Sequence, residues 1–227
     1  FIDADAILQG RAALQGRTTG NGGVDIKKDD WDVAPQIAPS ISYPTFHQVL
    51  GDRRLIYYRT AGHTSSWTYR ISADNGRNWS GPSCDVTDMD LNGRIDWSSY
   101  QTTLPSRDGR FLHVAFMTYD DVKTGDRDPQ RFYNPRYDQL VPNEWKYNLY
   151  YVKIDLETHE VVNFDGEPMD APIDIDQADA RCRIWDTEWR GAGVPPTIAL
   201  DENGEPTFLH VLSEDTLTDH TYYYVRR

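Results

Sequence analysis

Three stretches of the chain share one plan, a polar turn running into a strand of alternating or aromatic residues: GDRRLIYYR at 51–59, RDGRFLHVAF at 107–116 and DENGEPTFLHV at 201–211. Alternation of apolar and polar side chains is the period of a half-buried strand, and clusters of Gly, Asp and Asn mark its ends. A return strand follows each: SSWTYRIS at 65–72, YNLYYVKID at 147–155 and HTYYYVRR at 220–227. A unit repeated at intervals of roughly fifty to eighty residues predicts stacked antiparallel sheets. Helical periodicity is nearly absent. Its best candidate, AILQGRAALQG near the N-terminus, is weakened by two glycines.

The first return strand ends in Ser72-x-Asp74-x-Gly76-x-x-Trp79, the pattern of an Asp box. In this hairpin turn the hydroxyl and carboxylate bond backbone amides and the Trp packs back beneath the turn. It marks a β-propeller blade. A worn copy, IDLETHEVVNF at 154–164, keeps the turn position at Asp155 without the Gly and Trp. The predicted fold is therefore an all-β propeller, of which the chain covers about three to four blades where closed rings carry four to eight. Residues 1–34 form a lead-in and part of a preceding blade, and residues 35–227 form the blades. An insertion at 123–145, rich in Asp, Arg, Asn and Pro, reads as a long loop or lid.

Composition narrows the class. Seven Trp, 14 Tyr and 7 Phe in 227 residues supply ample core. No run approaches the ~20 apolar residues of a spanning helix, and FIDADAILQG has neither an initiator Met nor a signal peptide, so a mature or excised non-membrane piece is expected. A formal charge of -13 argues against nucleic acid, which requires a net basic footprint. Cys84 and Cys182 match no metal-site spacing and allow one disulfide without demanding it.

The order YPTF, then YYR with its Arg sixteen positions after that Tyr, then the Asp box, NLYY, NFDGEP and LDENGEPTFLHV resembles the BNR-repeat proteins that include polysaccharide lyases acting on ulvan. The resemblance runs from about Ser40 to Arg227. It implies a seven-bladed propeller and β-elimination at a uronic acid within an acidic polysaccharide. It places Tyr43 as the proton-transferring group, Arg59 as the neutraliser of the carboxylate and His63 at a polar position four beyond it. The chemistry suits these residue types. Abstracting the proton beside a carboxylate puts a second negative charge next to the first, and an always-charged, bidentate Arg lowers that cost. A hydrogen bond from His63 to the developing enolate would help. A phenol of pKa near ~10 requires a cationic neighbour to act as base, and Arg59 is the expected supplier. The lyases also use histidines from upstream blades, whereas no His precedes His47 here. Some relatives bind a structural zinc beginning with a strand His; His113 matches that first position, but no Cys or His follows in the insertion, so no zinc site is predicted.

Each candidate also has a plain structural reading: Tyr43 packs between blades and the Arg59 stem covers an aromatic face. His47, two and four residues from Thr45 and Tyr43, shares their face if the strand stays regular. His113 and His210 occupy corresponding LHV positions and read as packing. In DMDLNGRID, the residues Asp88, Asp90, Asn92, Gly93 and Asp96 reproduce the start of a calcium loop, but Ser99 stands where the bidentate Glu belongs. Arg127, Arg131, Tyr133, Arg136, Tyr137 and Trp145 of the insertion, with Trp185, Trp189 and Arg190, offer a sugar-stacking wall with cationic contacts or a solvated loop. The substrate-binding set expected from these is His47, Arg131, Tyr137, Trp145 and Arg190.

The sequence thus points to a secreted or periplasmic lyase of an acidic polysaccharide, requiring no cofactor, with calcium as a side reading and no nucleic-acid, membrane or protein partner indicated. The alternatives are a non-catalytic carbohydrate-binding propeller and a glycoside hydrolase or sialidase-like enzyme, the hydrolase needing two facing carboxylates.

Overall fold

The computed structural model describes residues 36–62, 65–88, 97–120, 131–134, 136–142, 145–214 and 218–227, without the side chains of residues 97, 119–120 and 131–133. These residues form an all-β fold of antiparallel sheets. The first sheet pairs β1 (Ser42–Val49), β2 (Arg53–Arg59) and β3 (Trp67–Ser72) in that order. The second runs β4 (Trp97–Pro105), β5 (Phe111–Asp120) and β8 (Lys146–Asp155), with β9 (Val161–Val162), β10 (Arg183–Trp185) and β11 (Gly191–Ala192) also pairing with β8. The third orders β12 (Thr197–Leu200), β13 (Pro206–Ser213) and β14 (His220–Val225). The described part of the insertion is not irregular: β6 (Arg131–Asn134) and β7 (Gln139–Pro142) form a hairpin.

The three repeated stretches become β2, β5 and β13, the second strand of each sheet. Their burial explains their composition. In β2 every residue from Leu55 to Arg59 is buried, and β8 is buried almost throughout, because a sheet covered on both faces selects a continuous apolar run over alternation. β14 does alternate, with Tyr222 and Tyr224 exposed.

One core lies between the first two sheets. It joins Leu55, Tyr57, Trp67, Tyr69 and Ile71 to Leu112, Val114, Phe116, Tyr150, Val152 and Ile154. A smaller one joins Ala115, Leu149 and Tyr151 of the second sheet to Ile198 and Phe208 of the third. The Tyr57 ring stacks between Trp67 (5.7 Å) and Tyr69 (6.5 Å), and each large side chain so buried contributes about 1.5–3 kcal/mol. Tyr57 also donates a 2.5 Å hydrogen bond to Gln101, whose amide donates to Thr87 and Ser99. That chain gives the buried polar groups their partners.

The first strands β1, β4 and β12 run side by side in the same direction. Tyr43 meets Tyr100, Thr45 meets Thr103, and the Leu50 amide donates to the Gly109 carbonyl; farther round, Thr102 donates to the Pro196 carbonyl and Arg107 to the carbonyls of Asp201 and Glu202. The two ends of the stack therefore differ. One carries the short turns, including Ser72–Trp79, where the Ser72 hydroxyl accepts from the Gly76 amide (2.7 Å), Asp74 accepts from the Asn78 amide (2.8 Å) and the Trp79 indole donates to the Gly76 carbonyl (3.0 Å). Asp155 and Asp201 make the same kind of carboxylate-to-amide turn. The other end carries the starts of β1, β4 and β8.

Two further elements were not expected. A helical turn at Ile175–Gln177, capped by the Asp174 carboxylate, runs into a π-helical turn at Ala178–Cys182. Both cysteines are free, Cys84 exposed and Cys182 buried. The helix expected near the N-terminus lies outside the described residues. Among the described residues no helix is long and apolar enough to cross a membrane.

Candidate functional site

The site grows from a defect at the start of β1. Ser42 pairs with Arg59, but the next pair is Thr45 with Tyr57, so β1 carries one extra residue there. Pro44 has no amide proton to give the ladder, and Tyr43 adopts φ +52°. A bulge of this kind bends a strand and re-aims a side chain. A non-glycine residue in the left-handed region costs about 1–3 kcal/mol, and such strain gathers at functional sites. Beyond the bulge the strand is regular, and Thr45 and His47 share a face as expected, both bonded to the Thr103 hydroxyl at 3.0 and 2.7 Å. Burial lowers the pKa of His47 below the ordinary histidine value.

The bulge turns Tyr43 onto Arg59. The guanidinium carbon lies 4.8 Å from the Tyr43 ring centroid and 5.7 Å from that of Tyr100 on β4, and the two rings meet edge to face at 5.2 Å. The Arg59 Nε donates to the Ser42 hydroxyl (3.1 Å), which donates to the Ala61 carbonyl (2.7 Å). Arg59 is only 4 % exposed while Tyr43 is 54 % exposed. The cation is thus held in a low-dielectric wall and the phenol stands over it facing solvent. Lys146, at the start of β8, brings its ammonium within 5.7 Å of the Tyr100 ring centroid. Tyr100 on β4 and Lys146 on β8 were not singled out from sequence, because only strand packing sets Tyr100 against Tyr43 and Lys146 against Tyr100; Ser42, the chain neighbour of Tyr43, carries no signal of its own.

The other expected residues fall elsewhere. His63 lies outside the described residues, as do Asp90, Asn92 and Asp96. Asp88 is described, and it accepts from the Ser66 hydroxyl (3.1 Å). No cluster of metal-ligating side chains occurs among the described residues. Arg131 is described only as a strand residue of β6. Trp145, expected in a stacking wall, is 4 % exposed with its ring stacked on Trp189 at 5.4 Å, so protein already occupies its face. Arg190 lies over Trp189 and pairs with Glu214 at 3.8 Å. Tyr137 accepts from the Asn148 side chain (2.9 Å) and abuts Tyr147 edge-on, while Arg136 pairs with Asp179. These two residues anchor the insertion hairpin to β8 and the helical turn.

His113 and His210 are packing residues in geometry. His113 bonds the Tyr151 hydroxyl at 2.7 Å, and His210 is fully buried with both ring nitrogens lacking hydrogen-bond partners among the described residues. Burial pushes both down to about 4, helped at His113 by the Lys153 charge.

The model of the BNR repeat-containing family matches residues 19–227. The chain belongs to the BNR repeat-containing family. Among solved structures this BNR-repeat chain is similar to a polysaccharide lyase described as an ulvan lyase of a new family, solved free and bound to -[GlcA(1-4)Rha3S]-; each comparison gives a TM-score of 0.63 and 19 % identity over 83 % of this chain and 43 % of that one. The likeness shows a shared propeller-like fold, and the chain spans less than half the length of that lyase. A Trypanosoma rangeli sialidase is more distant, with a TM-score of 0.37 and 13 % identity over 92 % of this chain and 33 % of that one. No curated protein matches the sequence.

Proposed function

We propose that the chain is part of a secreted polysaccharide lyase that cleaves a uronic-acid-containing polysaccharide by β-elimination. The observation that carries this reading is the bulge-strained Tyr43 standing over Arg59 at 4.8 Å. Two groups that the reaction requires together, an anion neutraliser and a proton carrier, lie within reach of one sugar ring. The fold likeness to the ulvan lyase supports it.

In this mechanism the uronate carboxylate settles against Arg59. Its guanidinium is held in place by Ser42 and works from a buried position where charge interactions are least screened. Tyr43, as phenolate, takes the proton from the carbon bearing the carboxylate. The electron pair forms a double bond to the neighbouring carbon, and the glycosidic C–O bond on that carbon breaks. The departing oxygen takes the proton back from Tyr43, so the phenolate is restored. His63 is proposed to donate a hydrogen bond to the enolate, and His47 to line the approach. No step calls for a metal or cofactor.

Incubation with a sulfated glucuronate polymer, followed by the ultraviolet absorbance of an unsaturated uronate, tests the proposal. Tyr43→Phe keeps the ring against Tyr100 and removes the proton carrier, with an expected loss of about 10²–10⁴-fold in rate. Undiminished cleavage by Tyr43→Phe would remove Tyr43 from the mechanism.

A further inference from the structure

We infer that Asn203 is a site of spontaneous covalent modification, where the backbone nitrogen of Gly204 closes on the side-chain amide and the residue converts to aspartate and isoaspartate. Two Asn–Gly pairs lie among the described residues, Asn75–Gly76 and Asn203–Gly204, and both sit in turns closed by an aspartate carboxylate. Asn21 and Asn92 also precede glycines and lie outside the described residues. A following glycine favours the ring closure because no Cβ shields its nitrogen or restricts its backbone. In the reaction the Gly204 nitrogen gives its proton to hydroxide and bonds to the Asn203 Cγ. The bond from Cγ to the amide nitrogen breaks, and that nitrogen takes a proton from water and leaves as ammonia. Water then opens the cyclic imide at either carbonyl, giving an ordinary aspartate or a main chain routed through Cγ.

The two turns differ in how the glycine is held. Gly76 is buried, its amide donates to the Ser72 hydroxyl at 2.7 Å and its carbonyl accepts from the Trp79 indole at 3.0 Å. Both of its backbone polar groups are therefore clamped, and its nitrogen cannot be freed without breaking bonds. At the second turn Ala199 and Pro206 stand where Ser72 and Trp79 fall relative to Asp74. The Gly204 amide makes a longer bond, 3.1 Å, to the Asp201 carbonyl. Asn203 is exposed, and nothing lies within 4 Å of the place where a Cβ would stand on Gly204. The Asn203 side chain bonds the Asp201 carboxylate, an exposed contact for which water competes. The position gives the change a structural consequence. This turn joins β12 to β13, and the carbonyls of Asp201 and Glu202 are the acceptors of Arg107. An isoaspartate lengthens the main chain inside the turn and adds a negative charge beside Asp201, Glu202 and Glu205, in a chain already at -13.

The test holds the folded full chain in mildly alkaline buffer, digests samples over time and follows each Asn–Gly peptide by mass spectrometry, with isoaspartate counted by enzymatic methylation of its α-carboxylate. Asn203 is expected to convert about tenfold faster than Asn75, the rate equivalent of roughly one hydrogen bond. In the chain unfolded by urea the two are expected to convert at similar rates, because the clamp on Gly76 is gone. Ser72→Ala, which removes the acceptor of the Gly76 amide, is expected to raise the Asn75 rate towards that of Asn203. Gly204→Ala has room for its Cβ and is expected to suppress conversion at Asn203. Equal rates at Asn75 and Asn203 in the folded chain, or an Asn203 that stays intact while the unfolded chain converts, overturns the inference. Conversion at Asn203 that Gly204→Ala leaves unchanged overturns it as well.

Discussion

Acid should unfold this protein through two buried histidines. His210 is fully buried with neither ring nitrogen hydrogen-bonded among the described residues, its ring edge-on to Trp185 at 6.0 Å. His113 lies between sheets, bonded to Tyr151. Each has its pKa lowered from 6.5 to about 4. The folded state therefore binds these protons less readily than the unfolded chain, and stability falls as the pH drops from 6.5 towards 4. One such histidine costs about 2 kcal/mol between pH 7 and pH 5, and about 3 kcal/mol once the pH is below 4. The pair together removes about 4 kcal/mol by pH 5, a large part of the 5–15 kcal/mol typical of a domain. Asp74, held down at about 2 by the Asn78 and Ser72 hydrogen bonds, loses its contribution only at lower pH, between about 4 and 2. Urea unfolding followed by Trp fluorescence at pH 7, 6 and 5 measures the effect. His210→Leu removes one titrating ring and the two orphaned nitrogens, so it is expected to be as stable as the natural chain at pH 7 and to lose only about half as much by pH 5. Equal acid losses in both proteins, or an NMR titration of His210 with a midpoint near 6.5, would refute the reasoning.

Further expectations concern the core and the turns. Tyr57→Phe strands the Gln101 carbonyl in a buried site and should cost about 1–3 kcal/mol by chemical denaturation; a neutral result would mean the Tyr57–Gln101 chain is not a core element. Gly109 has φ +72°, and an added Cβ would lie 2.5 Å from the Leu50 amide nitrogen, whereas Gly204 has φ +85° with nothing within 4 Å. Gly109→Ala should therefore lower the melting temperature clearly more than Gly204→Ala, because the second carries backbone strain alone. Arg59→Lys keeps a charge but loses the fork and the Ser42 bond, so it should retain the fold and lose most of the turnover of any uronate polymer; full activity would dismiss the carboxylate clamp.

The repeated strands were legible because each pattern is local. Polar turns, then LIYYR, FLHVAF or TFLHV, specify strands whatever they pack against, and the Ser72–Trp79 turn closes through hydrogen bonds within eight residues. The pair Tyr43 and Arg59 was reachable through spacing and resemblance, but their contact was not. It depends on a bulge at Pro44 that breaks the strand's period. Tyr100 and Lys146 belong to other strands and carry no local signal. Trp145 illustrates the opposite error, since an aromatic in a polar insertion suggests a sugar platform, yet Trp189, forty-four residues on, covers it. The helical turn after Asp174 was missed because eight residues show too little of a 3.6-residue period to register.

The central claim, elimination by Tyr43 against Arg59, is tested most directly by digesting a glucuronate polymer in heavy-oxygen water and weighing the fragments. Elimination predicts products with one unsaturated end, short of a water and free of the heavy isotope, and predicts that Tyr43→Phe yields none of them. Saturated fragments carrying heavy oxygen would show hydrolysis and contradict the account.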